Sequence, residues 1–150
     1  MSTEAERILK AANRILVVDW PSRDVPDTLA RAGYAVVVKG GPEPDNYQAQ
    51  ELRDGSVVAR RVSPPDHTDL VYSHRHLAEL PGIVEIARGL GASTVWCQSG
   101  LAGPGMNDPE GCWVPEDQSR EARSTVESAG LAYVDDVYIA DLVRKLGISR

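Results

Sequence analysis

An α/β fold, with a five-stranded parallel sheet layered between helices on both faces, is the architecture that this 150-residue sequence predicts. Two observations predict it. Five short apolar runs, residues 15–19, 35–41, 69–74, 93–100 and 131–136, each end in polar or turn residues at one common side. Between them lie helical patterns, and an alternation of strand and helix makes the strands parallel and covers the sheet with the crossovers. Ligands of such sheets bind beyond the carboxyl ends of the strands, at a switch in strand order. Asp19, Lys39, Gly40, Gly41, Ser73, His74, Gln98, Ser99 and Gly100 are therefore expected around one crevice.

Each element follows from its residues. Residues 4–12 form a short amphipathic helix with Ile8, Leu9 and Ala12 on one side, ended by Asn13. The first strand, 14–18, is an unbroken β-branched run of the kind buried on both faces. Asp24 or Ser22 is expected to cap the helix that runs through Leu29 to Ala32 and stops at Gly33. The second strand, 34–39, runs into Gly40-Gly41-Pro42, which cannot continue it. Residues 47–52 read as one helical turn and 56–62 as a short extended piece. The third strand is 70–73, and the helix over 80–90 has Pro81 in its first turn. The fourth strand, 94–98, contains Trp96, and the loop 101–115 that follows it is long for a compact α/β unit. A helix over 117–129, a fifth strand at 131–134 and a helix over 139–146 complete one domain spanning 1–150.

Composition narrows the partners. A chain of this length buries roughly 70% of its unfolded surface, so it folds without a disulfide or a metal. The formal charge of −6 argues against a nucleic-acid or anionic-membrane surface. Its amino end has no apolar stretch long enough for a signal or a membrane span, and two cysteines are too few for a disulfide framework; a cytoplasmic location is the expectation.

The candidate chemistry is that of binding. A helix amino terminus presents free amides and a positive dipole end, so Ser22 and Arg23, with Lys39 and the amides of Gly40 and Gly41 on the neighbouring strand end, form the expected anion site. The same residues also suit plain caps and tight turns. His74 and His76 have the spacing of two metal ligands, but no strong ligand motif surrounds them, and no metal is assigned. Cys97 reads as a buried strand-end thiol, and no Ser-His-Asp order or phosphate-loop motif stands out, so no catalytic residue is assigned.

Gly33-Tyr34-Ala35-Val36, Asp69-Leu70-Val71, the run 91–100 with its Trp96-Cys97-Gln98-Ser99-Gly100, and the run 130–136 occur in an order that resembles the small stand-alone CoA-binding-domain proteins. The resemblance covers about residues 12–147 and implies a Rossmann-like fold, related to the CoA-binding domain of succinyl-CoA synthetase, with CoA as the ligand. The sequence departs from the family pattern at three places. Asp19 stands where the family carries a glycine after the first strand, Lys39-Gly40 replaces an Asn-Pro, and Tyr138 replaces a frequent cysteine. The first loop is also shorter, and residues 102–115 are an insertion.

The resulting expectation is a non-catalytic CoA- or nucleotide-binding protein, with phosphate contacts from Ser22, Arg23, Lys39 and Gly40. Asp19, His74, Gln98, Ser99 and Gly100 line the cleft, and the 101–115 loop closes it. The alternatives are a scaffold that acts by protein contact, with a homodimer among its forms, and an enzyme on a small acyl or nucleotide substrate using His74 or Cys97.

Overall fold

The structure is a computed structural model that describes residues 3–19, 23–39, 46–74, 77–97 and 116–149. Ser22, Gly40, Gly41, Gln98, Ser99, Gly100 and the 101–115 loop lie outside the described residues.

Helix α1, Glu4–Ala11, starts at Thr3, whose hydroxyl accepts the Glu6 amide at 3.2 Å, and delivers the chain into β1, Arg14–Val18. Helix α2 is Asp24–Arg31. Arg23 occupies the capping position without a side-chain cap, and Asp24 is the first helical residue rather than the expected cap. Gly33, with φ +95°, ends the helix as expected and admits β2, Ala35–Lys39.

The largest departure from expectation comes next. Instead of a helical turn and a loose segment, β3, Tyr47–Arg53, and β4, Ser56–Val62, form an antiparallel hairpin added to the edge of β2. Its loop is Asp54-Gly55, both at positive φ (+50° and +81°), the backbone that a tight two-residue hairpin turn requires. The sheet therefore has seven strands, five of them parallel, rather than five in all.

Strand β5, Leu70–Ser73, a 3-10 turn at Leu77–Glu79 and α3, Leu80–Gly89, follow. Then come β6, Thr94–Cys97; α4, Glu116–Ser128; β7, Ala132–Val134; and α5, Ile139–Leu146. The strand order is β4-β3-β2-β1-β5-β6-β7.

Strand alternation sends the core to both faces. Ile15, Val17, Tyr72 and Trp96 pack with Leu9 of α1, Leu29 of α2 and Ile139 of α5. Leu16, Val71, Val95 and Tyr133 pack on the other face with Ile83 of α3 and Val126 of α4. Each such buried apolar side chain contributes about 1.5–3 kcal/mol. Among the described residues no helix is long and apolar enough to cross a membrane.

Candidate functional site

From β1 the chain crosses through α2 to β2 on one side of the sheet, and it later returns to β5 on the other side of β1. The switch in strand order thus lies between β1 and β5, the place beyond whose carboxyl ends ligands of such sheets bind. Val18 is in register with Ser73, and the His74 amide donates to the Val18 carbonyl at 3.1 Å. Asp19 and His74 are thereby fixed side by side at the switch.

Asp19 has φ +61°, one of two non-glycine residues with positive φ among those described. Glycine adopts this conformation freely; aspartate tolerates it better than most residues with a Cβ. The backbone therefore keeps a turn that would suit a glycine, while the side chain adds a carboxylate just beyond the end of β1.

The two expected cations are directed elsewhere. The Arg23 guanidinium donates to Asp27 at 2.7 Å and to Gln50 of β3 at 2.8 Å, on the α2 face of the sheet. The Lys39 ammonium lies 5.9 Å from the centre of the Tyr47 ring, and Tyr47 packs with the opposite core. The structure therefore brings Asp19 and His74 together and sets Arg23 and Lys39 on opposite faces.

The ends of β6 and β7 carry a buried polar group in Asp135, one of two adjacent aspartates that the sequence places at this strand end. Asp135 is buried and accepts a 2.6 Å hydrogen bond from Ser119 of α4, whereas Asp136 is exposed. Strand alternation after Val134 is the signal for it, since residue 135 falls on the α4 side. Burial, then the neighbouring Asp135 charge, pushes the Cys97 thiol up to about 12. Burial, with Cys97 and Asp135 nearby, also raises the Tyr133 hydroxyl well above its usual value, against the Arg123 guanidinium 5.5 Å from the ring. Cys97 is thus a buried free thiol, held in its un-ionised and unreactive form.

The other end of the sheet is structural. Asp69 accepts the amides of Asn13 and Arg14, both at 2.9 Å, and faces His67 Nε2 at 2.9 Å. His67 and His74 therefore stand at opposite ends of β5 and cannot share a ligand.

A family model described as a CoA binding domain matches residues 17–140. No curated protein matches the chain in sequence. Among solved structures, Prb, described as PH1109 protein redesigned for binding, superposes with a TM-score of 0.63 at 20% identity, over 98% of this chain and 92% of that one. A hypothetical protein from Pyrococcus horikoshii OT3 gives 0.59 at 20% identity, over 95% and 89%. The cell-free ID.343 structure from Thermus thermophilus gives 0.55 at 21% identity, over 95% and 96%. At these identities the likeness speaks for the fold alone.

Proposed function

The chain belongs to the CoA-binding domain family, whose model spans most of its length, and from that premise we propose that it is a non-catalytic CoA- or nucleotide-binding protein. The ligand lies at the switch between β1 and β5, over the left-handed turn at Asp19. The single observation that carries this reading is that turn: its φ of +61° keeps open the close backbone approach that a glycine would give. Asp19 and His74 line the mouth, with Gln98, Ser99 and Gly100 completing the cleft from the end of β6. Ser22, Arg23, Lys39, Gly40 and Gly41 supply the phosphate contacts, and Arg23 and Lys39 must leave Asp27, Gln50 and Tyr47 to take part. The buried Cys97 thiol favours binding over thioester chemistry.

Isothermal titration with CoA, acetyl-CoA, ADP and NAD at low ionic strength tests the reading. Saturable binding of CoA, abolished by Lys39→Glu, is the expected result. Absence of heat with all four ligands overturns it.

One set of observations favours a second reading. A carboxylate at the glycine position and two cations engaged by the protein's own groups are what a scaffold that has lost its nucleotide and acts by protein contact would show. Under that reading Asp19→Gly restores no binding.

A further inference from the structure

Among the described residues the exposed large hydrophobic side chains are Leu52 and Val58, 47% and 39% exposed, and both stand on the β3–β4 hairpin. Strand β4 is the outer strand of the sheet, seven residues long, and among the described residues no strand pairs with its outer side. The Asp54-Gly55 loop fixes which of its backbone groups face outward. In a two-residue hairpin the closing pair, Arg53 and Ser56, is hydrogen-bonded, and bonded and non-bonded pairs alternate from there. Val58, Arg60 and Val62 direct their amides and carbonyls to β3, while Val57, Ala59 and Arg61 turn theirs outward.

We propose that β4 is a homodimer interface, in which the β4 strands of two copies pair antiparallel across a two-fold axis at Ala59. The two sheets then become one continuous sheet. A two-fold interface must complement itself, and this register does. Ala59 faces Ala59 of the second copy, Val57 faces Arg61, and Val58 faces Arg60. Every outward amide and carbonyl meets its counterpart, and no arginine stands directly opposite another.

The competing registers fail on chemistry. A one-residue slip sets outward groups against groups already bonded to β3. Moving the axis to Arg61 opposes two guanidinium groups. Moving it to Val57 brings Ala59 against Gly55, which lies in the left-handed turn. Arg60 is itself paired with Glu51 at 2.9 Å, so its charge is balanced within each copy and its stem is free to lie over Val58 of the other. This self-complementarity favours a second copy over an unrelated strand. The interface lies two strands beyond β2 and leaves the crevice between β1 and β5 open.

Sedimentation velocity of the full chain over a wide concentration range tests the proposal. The wild type is expected at twice 16.3 kDa. Ala59→Pro removes an outward amide without touching the β3 ladder, a place where edge strands accept proline, and should weaken self-association at least tenfold. Val58→Lys sets a second cation against Arg60 of the other copy and should do the same without altering the backbone. A wild type that stays monomeric throughout overturns the proposal, and so does a folded variant of either kind that dimerises as the wild type does.

Discussion

The Tyr138 hydroxyl donates a 2.8 Å hydrogen bond to the Asp24 carboxylate, joining the entry to α5 with the first turn of α2 across 114 positions of sequence. Arg144 donates to the same carboxylate at 2.8 Å, and Thr28 at 3.1 Å. Tyr138 stands where the related family often carries a cysteine, and here the phenol ties two helices of one face together. Tyr138→Phe keeps the buried ring and removes only the bond. It should lower unfolding free energy by about 1–2 kcal/mol, read from urea denaturation, because one partner is charged. An unchanged midpoint would show the bond to be exchanged evenly for water.

Acid should weaken the fold through two aspartates. Burial acts to raise both, but hydrogen bonds from Arg144, Tyr138 and Thr28 hold Asp24 below its usual value, and the amides of Arg14 and Asn13, with His67, do the same for Asp69. A carboxyl depressed in the native state contributes stability that is full above the unfolded value, near 3.8, and is lost as pH falls through the native one. Urea midpoints should therefore hold steady from pH 7 to about 5 and drop below about 4. Asp69→Asn should cost about 1–2 kcal/mol at pH 7 and flatten that acid limb. An acid limb as steep as the wild type's would assign the loss to other groups.

Cys97 should resist alkylation in the folded protein. With its thiol pushed up to about 12, almost none is ionised at pH 8, and burial denies access as well. In a Cys112→Ser background, iodoacetamide is expected to label Cys97 only after unfolding, as followed by intact mass. Complete labelling within minutes under native conditions would instead mark an accessible thiolate at the end of β6.

Asp19→Gly separates the backbone of the crevice from its charge. Glycine takes φ +61° without a Cβ clash, which offsets the loss of the side chain's own interactions, so the variant should stay folded with a stability within about 1 kcal/mol of the wild type. Removing a carboxylate from the mouth should raise CoA affinity about tenfold at low salt, a gain that shrinks as ionic strength rises. Equal affinity of the two proteins would place the Asp19 side chain away from the phosphates.

Much of the fold was legible because its signals are local and repeated. The runs ending at Val18, Lys39, Ser73, Cys97 and Val134 are short, β-branched and bounded by turn residues, and the strands occur where those runs lie. The hairpin was not read, although its Asp54-Gly55 turn is a strong hairpin signal. Gln48 and Gln50, on the α2 face where Gln50 accepts from Arg23, and Glu51, on the other face in an ion pair with Arg60, break the apolar pattern on both faces. An edge strand's partner is set by what it reaches across space, and the pattern of its own residues is too weak to name it.

By itself the sequence determined the parallel core and the buried state of Cys97, because each depends on periodicity and on where apolar runs stop. Tertiary structure decided the rest. It set Asp19 beside His74 through the pairing of β1 with β5, drew Arg23 to Gln50 and Lys39 to Tyr47 on opposite faces, and buried Asp135 under α4. These relationships join residues far apart in the chain, and only the packing of strands and helices fixes which side chains come within hydrogen-bonding reach.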